Sequence, residues 1–420
     1  MTLDTLTAID TRSTPYRRGT PGYTRITLAL FAAGLAAFVS MYSAQAMLPA
    51  IAEDFSVGPG VAALVVSVTT GVLALVIVPA SALSERYGRT RVMVASAFTS
   101  CTIGLLLPLS PSIEVLLAGR VLQGAAVAGI PAVAMAYLAE EVYSGDLGAA
   151  MGRYVAGTTI GGLVGRLIPS GVLDVASWRW AMLTASVVAL VFALVMQRML
   201  PPSRRFRPQP VGPRVLMSNL VDHLRNPRLR ILFALGFILM GAFVSAYNLL
   251  GFRLLDEPFS LSEAVVGLVF LMYLAGTVTS SVAGRVADRF GRRWVLLASI
   301  AVALGGLACT LIDSLPWILV GMLLFTGAFF AAHSAASGWV GLLATRHRAE
   351  ASALYLCAYY LGSSLAGAGS GIAYGLGGWT GAVCCIGALL VIGLALASRM
   401  ARLGPASTVP RASTAVDAGR

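Results

Sequence analysis

Ser81-Ala-Leu-Ser-Glu-Arg-Tyr-Gly-Arg89 and Gly284-Arg-Val-Ala-Asp-Arg-Phe-Gly-Arg292 are one pattern written twice in this chain. Each copy is a short polar stretch, an acid followed by arginines and a glycine, set between long apolar runs. The first copy lies between runs at 60–83 and 92–108, the second between runs at 262–284 and 294–312. Further runs at 26–48, 113–138, 148–173 and 179–199 complete a first set of six. Runs at 230–251, 316–343, 351–374 and 380–398 complete a second. As a helix, each is long enough to cross about 30 Å of hydrocarbon. Both polar copies follow the second run of their set, so the chain reads as a six-helix unit used twice.

Composition supports the same reading. The 420 residues are 57% hydrophobic and only 11% charged, whereas soluble domains carry roughly a quarter charged residues. A soluble enzyme, a secreted disulfide scaffold and a disordered chain are therefore excluded. The net charge of +12 comes from 30 arginines and no lysine. A nucleic-acid partner would need those arginines gathered on one soluble face. Instead they occupy short loops on the side of the two termini. The exceptions are Arg179 and Arg253 on the other side, and Arg120 and Arg166 inside runs. This asymmetry predicts cytoplasmic termini. Trp178, Trp180, Trp317 and Trp379 at outer ends, with Trp294 at an inner one, fit an interfacial aromatic belt. The 26–48 run follows Arg17, Arg18 and Arg25 like a signal peptide, yet it exceeds the usual h-region of about 7–15 residues. It is read as the first membrane helix. The five cysteines lack metal-ligand or disulfide spacing, so no metal is expected.

The predicted fold is an all-α polytopic membrane protein with twelve transmembrane helices in two six-helix pseudo-repeats. Its parts are a cytoplasmic tail (1–25), an N-terminal half (26–199), a Pro- and Arg-rich cytoplasmic linker (200–229), a C-terminal half (230–398) and a second cytoplasmic tail (399–420). Further echoes support the duplication: Tyr42 matches Tyr247, and Tyr154-to-Gly162 resembles Tyr359-to-Gly367. Such duplication is typical of transporters that hold substrate between halves near the midplane.

With these motifs in place, residues 26–398 resemble the major facilitator superfamily. The family's loop pattern, G-x-L-A-D-R-x-G-R-K, is matched well from Gly284 to Arg293 and loosely from Ser81 to Thr90. The resemblance implies a cytoplasmic gate built from Glu85, Arg86, Gly88, Arg89, Gly284, Asp288, Arg289, Gly291 and Arg292. Topology-setting charge alone is the alternative. Arg120-Val-Leu-Gln-Gly124 resembles the R-x-x-Q-G motif of proton-driven antiporters. Arg120, Gln123 and Gly124 are thus substrate or coupling candidates, because an intramembrane arginine is costly. Bracing by backbone carbonyls is the alternative for Arg120. Gly157, Gly161 and Gly165 form a small-residue stripe, for packing or for sliding at the interface between halves. The family's Gly-Pro pair in that run is replaced by Gly165-Arg166, which marks Arg166 as a further candidate. Several stretches also look like a bacterial inner-membrane subgroup associated with sugar or drug efflux.

Tyr42, Gln45, Tyr137, Tyr154, Tyr247, Asn248, His333, Ser337, Tyr359 and Tyr360 are the polar groups expected to face a cavity. Single tyrosines can equally pack between helices. No acid lies at mid-depth in any run, so His333 and the outer-end Asp54 are the coupling candidates. The expected function is secondary export of drug-like or sugar-like small molecules from the bacterial inner membrane by alternating access and proton antiport. A nutrient importer or uniporter is the alternative. The chain is not expected to be an enzyme and has no phosphate-binding glycine loop. The expected partners are a small-molecule substrate, protons and the lipid bilayer. Nucleic acid and cofactors have no place in this reading, and the unit is expected to be a monomer.

Overall fold

The computed structural model describes residues 14–206 and 212–402, apart from the side chains of Pro213, Asp288, Ala349, Ala401 and Arg402. Among the described residues, ten helical segments are long and apolar enough to cross a membrane. The last, Glu350–Met400, is 51 residues long. It lies in a helix interrupted by non-helical backbone at Gly377 and Gly378, which divides it into two crossings at 348–376 and 379–402. Leu147–Leu173, with 27 residues, is also long enough at about 1.5 Å per residue, although it carries Arg153 and Arg166. Counted in this way, the helices number twelve. In chain order, spans 1 to 6 are Pro21–Asp54, Pro59–Tyr87, Arg89–Leu109, Ile113–Glu141, Leu147–Leu173 and Trp178–Met199. Spans 7 to 10 are Pro227–Leu255, Glu263–Ala287, Arg292–Cys309 and Leu315–Leu343, and the divided helix supplies spans 11 and 12. The linker also holds an amphipathic helix, Pro213–Arg225, too short and too polar to stand among the apolar runs.

Local chemistry explains where these helices begin, turn and bend. Span 1 opens with Pro21 behind Thr20, whose side chain accepts from the backbone N–H of Tyr23. Gly88 (φ 93°, ψ 147°) and Gly291 (φ 92°, ψ 140°) turn the chain between spans 2 and 3 and between spans 8 and 9. The two loops therefore share one backbone conformation, and its positive φ favours glycine. Span 1 tightens into a 3₁₀ turn at Ser43–Met47, just before Pro49, which cannot donate to the Gln45 carbonyl. Gln45 sits in this turn. Span 8 has a corresponding 3₁₀ stretch at Leu268–Met272.

Within the N-terminal half, span 5 lies directly on span 1. A Cβ at Gly161 would meet Leu35 Cα at 2.7 Å, and one at Gly165 would meet Val39 Cα at 2.9 Å. This glycine stripe thus packs helices of one half and does not lie between halves, contrary to the sliding alternative. The stripe on span 11 does bridge the halves. Gly371 meets Gly60 of span 2, and Ser363 Oγ donates to Thr70 Oγ1 at 3.3 Å.

The bonds between halves cluster towards one face. Asp174 accepts from Ser262 Oγ at 3.2 Å and from the Ala264 backbone N–H at 2.9 Å. Nearby, a Cβ at Gly251 would lie 3.3 Å from Pro49. A further bond between the halves, Ser363 to Thr70, lies near mid-depth, so these bonds run from mid-depth to the face opposite the arginines.

Two tryptophans depart from the expected belt. Trp178 is buried and donates to Asp54 at 2.9 Å, and buried Trp379 donates to the Thr310 carbonyl at 3.1 Å. Their indole N–H groups find partners inside the protein, whereas Trp180, Trp294 and Trp317 are exposed as expected.

Candidate functional site

The site is centred on a chain of side chains that crosses between the halves. Arg166 of span 5 donates from Nε to Gln45 Oε1 at 2.6 Å, and from Nη1 to its own helix at the Gly162 carbonyl at 2.5 Å. Gln45 Nε2 in turn donates to Asn248 Oδ1 of span 7, again at 2.6 Å. Arginine can only donate, so Gln45 must present its oxygen to Arg166 and its amide nitrogen to Asn248. That orientation leaves Asn248 Nδ2 facing away, and this buried donor has no partner. Arg166, Gln45 and Asn248 are each 1 or 2% exposed.

Aromatic faces surround the guanidinium. Arg166 Cζ lies 4.5 Å from the ring centroid of Tyr42, 4.8 Å from Tyr273 and 5.3 Å from Phe270. Such contacts attract a cation most when it is desolvated. Tyr273 and Phe270 belong to an aromatic wall that the C-terminal half presents. Tyr247 packs on both, with centroids 4.8 and 5.6 Å away, and its hydroxyl pairs with Thr326 Oγ1 at 2.6 Å. Further along, Phe329 stacks on His333, which lies 4.8 Å from Tyr359, and Tyr359 meets Tyr360 edge-on. His333 is half-buried, and its Nδ1 lies 3.0 Å from the Tyr355 hydroxyl. Tyr154 is buried in span 5. Of the predicted cavity residues, Tyr42, Gln45, Arg166, Tyr247 and Asn248 come together, while His333, Tyr359 and Tyr360 extend the wall.

Arg120 lies elsewhere. It is 1% exposed, and its guanidinium donates to the carbonyls of Val65 (2.9 Å), Ser40 (3.0 Å) and Met41 (2.7 Å) and to Gln123 Oε1. Gln123 Nε2 passes the link to the Ser100 carbonyl at 3.2 Å. Gly124 lets span 4 approach the Thr69 backbone, where a Cβ would sit 2.9 Å from Thr69 Cα. Arg120, Gln123 and Gly124 thus tie spans 1 to 4 together. The bracing alternative describes this geometry, and none of the three reaches the crossing chain.

The repeated loops build a charged cluster on the arginine-rich face. Arg89 pairs with Glu85, and its Nη2 reaches Glu140 of span 4 at 2.8 Å. Its Nη1 meets Ser84 Oγ at 2.5 Å, and its guanidinium lies over Phe206 at 5.2 Å. Glu141 accepts from the backbone N–H groups of Arg204 and Arg205 at 2.7 and 2.9 Å, so the start of the linker is tied to the same place. These links stay within the N-terminal half and its linker. In the second copy, a Cβ at Gly338 of span 10 would lie 3.5 Å from Arg292 Cζ, a placement like that of Arg89 against span 4. Arg86 and Arg289 are exposed and lie over the neighbouring rings of Tyr87 and Phe290. Gly284 has open space around it, and the Asp288 side chain lies outside the described residues. Asp54 at the opposite face pairs with Arg179 at 2.7 Å.

Sequence reasoning missed Tyr273, Phe270 and Glu140 as partners. Tyr273 is the one tyrosine of its apolar run, a faint signal, whereas Phe270 has none to offer. Glu140 stands beside Glu141 at a helix end, where its pairing with Arg89 depends on the fold.

A duplicated helical bundle that closes on one face around a buried polar site defines a membrane transporter. The family model of the major facilitator superfamily matches residues 30–256 and 249–416, and the chain belongs to that superfamily. It is 42% identical to the inner membrane transport protein YnfM of Escherichia coli over 92% of this chain and 93% of that one. It is 38% identical to the MFS-type transporter YybF of Bacillus subtilis, over 92% and 96%. Among solved structures, a bacterial homologue of the human lysosomal transporter Spinster, in an inward-facing and unoccupied conformation, shares the fold. Its TM-score is 0.78 at 15% identity, covering 91% of this chain and 98% of that one. A point mutant of the nucleoside transporter NupG follows with a TM-score of 0.75 at 14% identity, covering 90% and 99%.

Proposed function

We propose that this protein exports small organic molecules across the bacterial inner membrane by alternating access, exchanging them for protons, with its arginine-rich face in the cytoplasm. In this reading it is a transporter and not an enzyme, and it works as a monomer. One observation carries the reading: a buried polar chain, Arg166–Gln45–Asn248, crosses between the two halves, and the bonds of Asp174 that join them lie towards the face opposite the arginines. With the arginine-rich face inside, that arrangement is an inward-facing state ready to take substrate from the cytoplasm. The antiporter-like sequence around Arg120 and the likeness to an inner membrane transport protein support export and location.

An importer or uniporter is the second reading. It is favoured by the lack of a mid-depth carboxylate to carry a proton, since Arg166 makes no ion pair among the described residues. Reconstitution into proteoliposomes separates the two readings. Export by antiport predicts substrate accumulation in inverted vesicles that collapses when an imposed pH gradient is dissipated. Equal fluxes in both directions, indifferent to the gradient, would establish the uniporter.

A further inference from the structure

Within that transport reading, we infer that the substrate is an organic anion carrying an aromatic or flat apolar body, whose carboxylate or similar oxyanion binds Arg166. The charge is the first reason. Arg166 is 2% exposed and well inside span 5, and no acid pairs with it among the described residues. A buried cation left this way is costly. Its neighbours supply one amide oxygen, one backbone carbonyl and three ring faces, while Nη2 has no hydrogen-bond acceptor among the described residues.

The second reason is a surplus of donors. The hydroxyls of Tyr42 and Tyr273, whose rings flank the guanidinium, are buried and unpaired. An oxyanion is all acceptor, and two parallel bonds from the guanidinium fork suit a carboxylate. A neutral sugar would leave the charge uncompensated, and an organic cation would be repelled. The third reason is the wall of Tyr247, Phe270 and Tyr273 beside that charge. It offers a flat apolar surface to whatever body the anion carries.

The test uses the full-length protein purified in detergent, with melting and calorimetric binding as readouts. The probes are benzoate, 4-hydroxybenzoate and 1-naphthoate, each against its primary amide, with benzylammonium as a cation. At least one carboxylate should bind at least tenfold more tightly than its amide, and Arg166→Gln should abolish the difference. Because that variant could fail to fold, Gln45→Glu provides an independent arm. It places a carboxylate against Arg166 Nε and lets Asn248 turn its amide nitrogen inward. It should therefore raise the melting temperature of the ligand-free protein while weakening carboxylate binding at least tenfold. A merely structural Arg166 would give the first effect without the second.

Equal binding of amides, preference for the cation, no carboxylate binding at all, or unchanged binding in Gln45→Glu would each overturn the inference. The transport reading fails separately. If carboxylates bind but none crosses in proteoliposomes, the anion site stands and transport falls. If only the amides or the cation cross, transport stands and the anion site falls.

Discussion

Arg120 and Arg166 are both fully buried deep in their helices, and their surroundings assign them opposite work. Arg120 spends its donors on three backbone carbonyls and Gln123 within one half, so its energy is structural. Removing a buried charged donor leaves those acceptors unpaired, and each bond to a charged group is worth about 1.5–3 kcal/mol. Arg120→Ala should therefore cost at least about 3 kcal/mol of stability on that scale. It should show as a large fall in melting temperature in detergent, together with reduced yield. Arg120→Lys should recover only part of the loss, since an ammonium cannot reach three carbonyls with the geometry of a planar fork. An Arg120→Ala protein that melts like the wild type but does not transport would show that the arginine acts on substrate or coupling instead. Arg166 differs because its chain of bonds runs to Gln45 and on to Asn248 in the other half. From sequence the two looked alike, each a lone charge in an apolar run. What separates them is whether the carbonyls of neighbouring helices lie within reach, and that depends on the packing of spans distant in the chain.

At the scale of elements, close approach of backbones decides which substitutions the helices tolerate. Gly161 meets the backbone of span 1, so Gly161→Val should force spans 1 and 5 apart and sharply reduce folded protein in the membrane. Gly375, on the matching stripe of span 11, has nothing within 4 Å of an added Cβ. Gly375→Ala should leave expression and melting unchanged, a contrast that fluorescence-detected size exclusion would read directly. The repeated loops offer a second test. Glu140→Gln removes a charge from Arg89, which is buried and keeps its pair with Glu85, so stability should fall by more than the ~1 kcal/mol typical of an exposed pair. Any larger loss of transport at equal expression would then report on the gate. The twelve helices and their twofold repeat were legible in sequence, because hydrophobic runs and polar turns are local signals, and the structure adds that Gly88 and Gly291, at one place in both copies, share a positive φ. Gln45, Asn248 and Arg166 were legible as single polar residues. Their connection was not, since Gln45 and Asn248 lie 203 residues apart. Tyr273 and Phe270 were hidden by resembling ordinary membrane-helix residues.

For the whole molecule, the arrangement of contacts makes a claim about motion. The halves are held together on one face by Asp174 with Ser262 and Ala264, and by the abutment of Gly267 on Ser170. Alternating access by rocking of the two halves requires these contacts to break in every cycle, because substrate must pass through the face they close, whichever way it moves. The transition is then one between two packings that differ in interface contacts, each half moving nearly as a rigid body on its own glycine-packed helices. Covalent closure should trap one state. In Asp174→Cys/Ser262→Cys, the two side chains replace groups whose polar atoms already stand 3.2 Å apart, so mild oxidation should join them in a disulfide. Transport in proteoliposomes should then fall to the background of empty vesicles, and a reductant should restore it. Each single variant, which keeps the five native cysteines, should remain active under the same oxidant. Binding of substrate from the arginine-rich side should survive in the cross-linked protein, since the cross-link lies towards the opposite face. A cross-linked protein that transports at the wild-type rate would mean that this face does not open during the cycle, and the rocking account would be wrong.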